Sequence, residues 1–191
     1  MIIYRNLNIK KNHKNSVVAI GNFDGLHVGH QKVLKEAKQK ARKNNLKFGL
    51  ITFEPAPTMF FNKKIKNHRI NSLKQKIYFL KKMKLDFVVI INFNKNFSNL
   101  SPVGFIKKIL FKKIKSKYIF VSKNFKFGKK RLGDINTLKN LEKKYFYKTV
   151  ITAPYKKENK IVSSSLIRKI IYQGRVKEAE KLLGRTWSVE G

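Results

Sequence analysis

The chain has 191 residues, contains no cysteine and carries a formal net charge of +35. That length suits one domain with a real core, and the lack of cysteine excludes disulfides and thiolate metal sites. No apolar run reaches the length that spans a bilayer, and Met1-Ile2-Ile3-Tyr4-Arg5-Asn6 has no signal-peptide apolar region, so a soluble cytoplasmic protein is expected.

In chain order, short apolar runs of strand length recur at Val17–Ile20, Phe48–Phe53, Phe87–Phe93, Tyr118–Val121 and Thr149–Thr152. Segments with helical periodicity alternate with them: Gln31 to about Lys43 with its periodic part Val33–Arg42, Leu73–Met83, Phe105–Ile114 and Thr137–Tyr145. Buried strands alternating with amphipathic helices predict βαβ units, an α/β chain with a central parallel sheet and flanking helices. Ser72 with Gln75 reads as a capping box, and Ser101-Pro102 as a cap before a first-turn proline. Phe105, Ile106, Ile109 and Leu110 form a stripe expected to face the core. After the last strand, Ser163-Ser164-Ser165 feeds a helix that Gly174 ends, and Val176–Leu183 forms another closed by Gly184. The tail Arg185–Gly191 reads as lacking partner structure.

The most informative stretch is Gly21-Asn22-Phe23-Asp24-Gly25-Leu26-His27-Val28-Gly29-His30. It lies between a strand and a helix, where backbone N–H groups point at an incoming anion. Gly21, Gly25 and Gly29 permit a tight turn and close approach of a ligand. His27 and His30 lie three residues apart, placed to donate hydrogen bonds to phosphate oxygens as charge builds on a breaking phosphoryl bond. A metal site would need third and fourth ligands, and nothing fixes His13 or His68 nearby. Ser164, Ser165 and Arg168 open a later helix, where hydroxyls, N–H groups and a bidentate guanidinium suit a polyphosphate. In an α/β chain the two helix starts would meet at the carboxyl edge of one sheet. Neither a Walker-A loop nor G-x-G-x-x-G occurs, which disfavours kinase and hydride-transfer chemistry.

The positive charge is nearly all lysine, spread from end to end, and accompanied by abundant Asn, Ile and Phe. Genome composition accounts for that pattern, so no specific nucleic-acid partner and no membrane are expected. Such a surface attracts polyanions loosely at low salt and draws in phosphate esters. Arginine is scarce, so Arg69, Arg131, Arg168, Arg175 and Arg185 mark places where a planar multi-donor cation is needed.

Gly25-Leu26-His27-Val28-Gly29-His30 together with Ser164-Ser165-Leu166-Ile167-Arg168 resembles the nucleotidyltransferase superfamily that includes class I tRNA synthetases. Four further segments narrow the likeness: Thr52-Phe53-Glu54-Pro55-Ala56-Pro57, Phe93–Ser101, Asn124-Phe125-Lys126-Phe127-Gly128 with Arg131 and Gly133, and Gly174-Arg175-Val176 leading to Leu182-Leu183-Gly184-Arg185. With the Asn22-Phe23-Asp24-Gly25 turn, the chain resembles, over nearly its whole length, the FMN adenylyltransferase module of bacterial bifunctional riboflavin kinase/FAD synthetases. It departs from that pattern at Ala56, where His or Gln is usual, at Ser122, where Gly is usual, and at Ser163-Ser164-Ser165, where Ser-Ser-Thr is usual.

The resemblance implies a Rossmann-like fold over 1–184, with 185–191 beginning a linker to a riboflavin kinase barrel that these residues lack. It implies the reaction ATP + FMN → FAD + pyrophosphate, with Mg²⁺ as cofactor. The catalytic set would be His27, His30, Ser164, Ser165 and Arg168. ATP would meet Gly21, Asn22, Phe23, Asp24, Gly25, His27, His30, Ser164 and Arg168. FMN would meet Pro55, Pro57, Phe61, Phe93, Asn124, Phe125 and Phe127. Asp24 and Glu54 are the nearest candidate Mg²⁺ ligands. The alternatives are another small-molecule adenylyltransferase of the same superfamily and, in a different class, a basic RNA-binding module. Oligomeric state is not legible in the sequence.

Overall fold

A computed structural model describes residues 1–62, 64 and 69–190, so His68 lies outside the described residues. Six strands form one parallel sheet: β1 (Ile2–Tyr4), β2 (Val17–Ile20), β3 (Phe48–Glu54), β4 (Phe87–Asn92), β5 (Tyr118–Ser122) and β6 (Lys148–Thr152). Their order is β1-β4-β3-β2-β5-β6, and every pairing is parallel. The chain runs outward from β2 to β3 and β4 on one side and then crosses to β5 and β6 on the other. The strand order therefore reverses between β2 and β5, and a crevice opens beyond their carboxyl ends, where open α/β sheets bind ligands.

Alternate strand residues point to opposite faces, which gives the sheet two cores. Val18, Ile20, Ile51 and Val89 pack with Ile106, Ile109, Leu110 and Leu138 on one side. Val17, Ala19, Leu50 and Val88 pack on the other with Val33, Leu34, Ala37 and Ala41 of α1 (Val28–Lys43) and Leu80 of α3 (Leu73–Lys82). A third, smaller cluster joins Ile70 and Val162 to α8 (Ser164–Tyr172) and α9 (Val176–Leu183). Among the described residues, no helix is long and apolar enough to cross a membrane.

The expected strands and helices appear with ends shifted by a few residues, as fraying termini allow. Ser72 and Gln75 form the reciprocal capping box of α3, and Ser101 caps α5 (Pro102–Phe105). Several features differ from the sequence reading. The helix after α5 is π-wound over Ile106–Ile114, and its expected stripe does face the core. The expected helix Thr137–Tyr145 is broken at Leu141 into α6 (Ile135–Asn140) and α7 (Glu142–Tyr145). Short helices α2 (Pro57–Phe61) and α4 (Lys95–Ser98) form in segments to which the sequence pattern assigned no element. The N-terminus supplies edge strand β1, held where the Tyr4 hydroxyl meets Nδ1 of His13 at 2.8 Å and the His13 ring stacks on Phe87. A two-stranded ribbon, β7 (Lys156–Lys157) with β8 (Lys160–Ile161), precedes α8. It is too short for periodicity to reveal.

The tail is also corrected. Trp187 Nε1 donates to the Ile70 carbonyl at 3.0 Å, Gln75 Nε2 to the Ser188 carbonyl at 3.0 Å, and the Ser72 hydroxyl to Glu190 at 2.5 Å. Its partners lie over a hundred positions away in sequence, beyond the reach of local pattern.

Gly49 sets the closeness of two central strands. It pairs with Phe87, and a Cβ at position 49 would overlap that buried ring. Replacing Gly49 with Ala is expected to cost about 1–3 kcal/mol by overpacking. Urea unfolding checks the loss, and Phe87→Leu in the same background should recover part of it.

Candidate active site

The site begins where β2 stops. Gly21 N–H still bonds across to the Ile51 carbonyl at 3.1 Å, after which the chain leaves the sheet. The turn then passes through left-handed backbone at Phe23 (φ 48°), Gly25 (φ 76°) and Leu26 (φ 40°). A Cβ at Gly25 would collide with Ile70, so both conformation and space demand glycine there. His27 returns to extended backbone and caps α1, its Nδ1 accepting from the His30 N–H at 3.3 Å. An Nδ1 that accepts carries no proton, which leaves the proton of the neutral ring on Nε2.

The two imidazoles stack with centroids 3.6 Å apart, and Phe23 lies against His30. Burial, with the Arg185 guanidinium nearby, lowers the His27 pKa to about 4. Burial also holds His30 well below its ordinary value, with His27 and Lys76 adding to the effect. At neutral pH both rings are therefore uncharged hydrogen-bonding groups. Nδ1 of His30 is sealed from solvent with no partner among the described residues.

The second segment closes on this turn through Asp24. Ser163 caps α8 by accepting from the Leu166 N–H at 3.2 Å. Ser164 donates its hydroxyl proton to the Asp24 carbonyl at 2.9 Å. Arg168 Nη1 donates to Asp24 Oδ2 at 2.7 Å, while its Nη2 lies 3.5 Å from the Ser165 hydroxyl. Asp24 Oδ1 accepts from the Ile70 N–H at 3.0 Å. The segments expected to converge do so, across more than 130 residues of sequence.

A cavity of about 730 Å³ opens at the switch point beside this junction, within the size range usual for small-molecule sites. Gly21, Asn22, Phe23, Asp24, His30 and Ser164 line one end. Pro57, Phe61, Phe93, Asn124, Phe125 and Phe127 line the other. Phe61 stands 69% exposed at the rim, edge-on to Phe93, whereas Phe127 is 7% exposed, stacks beside Phe125 and also belongs to the core. Gly25, His27, Glu54, Pro55, Ser165 and Arg168 do not line the cavity and stand behind or beside its wall. A second cleft, about 520 Å³, lies by the amino ends of β5 and β6 and contains no expected site residue.

The two expected metal ligands are each engaged by an arginine. Asp24 faces Arg168, and Glu54 pairs with Arg69. Among the described residues, no group of three or more His, Asp or Glu side chains could hold a metal ion. These carboxylates do not fit a resident Mg²⁺, because reaching a cation would require them to release their guanidinium partners.

Sequence reading missed several residues. Lys76 on α3 is buried, donates to the Asn22 carbonyl at 2.9 Å, and has its pKa lowered chiefly by burial. Thr52 donates its hydroxyl to the same carbonyl at 3.2 Å. Lys126, Lys130, Phe97 and Phe105 line the cavity, as does Arg131, which its scarcity as an arginine had flagged. Lys76 gave no signal because it is one lysine among many.

The depressed histidines make stability depend on pH. Between their unfolded and folded values the unfolded chain binds more protons, so stability is complete above about pH 6.5 and falls as the medium is acidified toward the folded values. From about pH 7 to about pH 5, His27 is expected to account for about 2 kcal/mol of lost stability, with His30 and His13 acting in the same direction. Urea titrations at the two pH values check this. His27→Asn, which retains a capping acceptor without titrating, should flatten the dependence.

The profile of the FAD synthetase family matches residues 9–166. The chain is 42% identical over 185 residues to a bifunctional riboflavin kinase/FMN adenylyltransferase of Buchnera aphidicola subsp. Schizaphis graminum, covering 96% of this chain and 59% of that protein. It is 30% identical to the Escherichia coli K12 protein of the same name, covering 92% and 56%. The chain thus spans under two-thirds of the length of these relatives. A crystal structure titled a macrolide-efflux protein from Streptococcus pneumoniae superposes with a TM-score of 0.83 at 29% identity, over 97% of this chain and 60% of that one. Matched over most of its length by that profile, the chain belongs to the FAD synthetase family.

Proposed function

We propose that the chain transfers AMP from ATP to FMN, giving FAD and pyrophosphate. The observation that carries this reading is the meeting of the 21–30 turn with Ser164 and Arg168 at the head of one aromatic-lined cavity. The triphosphate lies at the polar end, beside the N-terminus of α1. The isoalloxazine lies among Pro57, Phe61, Phe93, Phe125 and Phe127, with Asn124 offering polar contact; flat apolar rings are held well by aromatic walls.

An FMN phosphate oxygen attacks the α-phosphorus of ATP. The new P–O bond forms as the α–β bridging bond breaks, and pyrophosphate leaves with the bonding electrons. The phosphate nucleophile is already ionised, so no strong base is needed, and the protein's task is to align two anions. His30 lines the cavity as a neutral ring, and a hydrogen bond from it strengthens as charge moves onto the leaving oxygen. His27 supports that ring by stacking and by capping α1. Ser164, Ser165 and Arg168 fix the far side of the phosphate end. Mg²⁺ enters as part of the ATP substrate, held through phosphate oxygens with few protein ligands. Lys126, Lys130 and Arg131 at the cavity are placed to meet phosphate charge.

Incubation with MgATP and FMN, followed by chromatography, is expected to yield FAD, with none of the corresponding products from pantetheine phosphate or tRNA. His30→Ala should lower FAD formation by about 100-fold or more while leaving the urea midpoint at neutral pH nearly unchanged. Near-wild-type turnover by that variant would remove His30 from the mechanism. Product from pantetheine phosphate in place of FMN would move the assignment to another adenylyltransferase.

A further inference from the structure

We propose that Arg185, on the segment after α9, is a positioning residue that fixes the 25–27 peptides and, through them, the His27–His30 pair against the phosphates of ATP. This rests on the adenylyl-transfer reading for its consequence in turnover, and on geometry alone for its effect on the turn.

The guanidinium sits inside a ring of acceptors. Nη2 donates to the Gly25 carbonyl at 2.6 Å and to Asn71 Oδ1 at 2.7 Å. Nη1 reaches the Leu183 carbonyl at 3.2 Å and the Leu26 carbonyl at 3.4 Å. The plane of the group stacks on Phe79 of α3, its Cζ 3.9 Å from the ring centroid. Gln31 on α1 bridges the same Leu26 and Leu183 carbonyls through its Nε2, at 3.0 and 2.9 Å. Of the three carbonyls gripped by Arg185, two belong to Gly25 and Leu26, both in left-handed backbone. Such conformations persist only where the surroundings hold them, and they aim the residue that follows.

That residue is His27. With the 26–27 peptide fixed, its ring lands where Nδ1 accepts the His30 N–H and where it stacks on the His30 imidazole. The guanidinium acts a second time through its charge. The titratable and cationic neighbours of His27 are His30 and Arg185, and burial, helped by the cation beside it, keeps the ring neutral. A protonated ring would lose the Nδ1 lone pair that caps α1. Lysine cannot substitute, since a single ammonium offers no planar fork for two pairs of acceptors and no flat face for Phe79.

The test compares wild type with Arg185→Lys, Arg185→Gln and Trp187→Phe. The last removes the tail's bond to the Ile70 carbonyl and leaves every hydrogen bond of Arg185 and His27 in place. Nitrogen-resolved NMR of the ligand-free proteins follows the tautomer and titration of His27, and steady-state assays follow FAD formation. In Arg185→Gln the His27 midpoint should rise, while burial still holds it below the ordinary imidazole value. In Arg185→Lys the charge remains, but the His27 and His30 signals should shift and broaden. Both variants should lose roughly 10- to 100-fold in kcat, with the KM for FMN unchanged. Trp187→Phe should lower the unfolding midpoint without moving either readout. Folded Arg185 variants with unmoved His27 signals would overturn the proposal, whether or not turnover falls. If wild type forms no FAD, adenylyl transfer fails as the function and the His27 signals alone decide the role of Arg185.

Discussion

Asp24 is held at three oxygens by two distant parts of the chain, α8 and the segment at Ile70. Its carbonyl accepts from Ser164, one carboxylate oxygen accepts from Arg168, and the other from the Ile70 backbone. Remove that carboxylate and the guanidinium of Arg168 and the N–H of Ile70 both lose their fixed partner, leaving only the Ser164 bond to the Asp24 carbonyl. Such a loss is costly in a partly buried setting, where unmet donors have little water to turn to. The α8–α9 unit is joined to the sheet at this point and through its small apolar cluster around Ile70 and Val162. The polar end of the cavity is therefore as well defined as the Asp24 junction.

Most cations around this site are engaged in holding the protein's own oxygens. Arg168 meets Asp24, Arg69 meets Glu54, Lys76 meets the Asn22 carbonyl, and Arg185 meets the carbonyls of the turn. The histidines nearest the cavity are neutral. A chain with net charge +35 thus sets compensated charge behind the wall of its site, with neutral His30 and the cations Lys130 and Arg131 on the wall itself. A lysine-rich surface attracts anions at long range, while short hydrogen bonds align them at close range. The two tasks need different physics: attraction tolerates mobile, exposed ammonium groups, and alignment requires groups whose positions are already fixed.

The aromatic end of the cavity is continuous with the core. Phe93, Phe97, Phe105 and Phe127 contact one another in a chain of edge and tilted contacts that reaches Phe53 in the central sheet. The side chains proposed to receive the flavin are thus braced from behind by residues that fold the domain. Phe61 at the rim rests on Phe93 and is largely exposed.

Local pattern in the sequence determined the alternation of strands and helices, the capping box at Ser72, the core stripe at Ile106–Leu110, and the two segments, 21–30 and 164–168, proposed to meet phosphate. These are legible because each depends on residues a few positions apart, through periodicity, caps and glycine-permitted turns. Tertiary structure alone decided the rest. It placed Arg168 on Asp24 instead of leaving it bare, and took Arg69 to Glu54. It buried Lys76, which looked like any surface lysine. It docked the tail from Arg185 to Glu190, which carries no periodicity, and gave His27 Nδ1 the N–H of His30 to cap. Each of those outcomes is a contact between residues far apart in sequence, and a hydrogen-bond acceptor supplied from across a fold leaves no mark on the residues beside its donor.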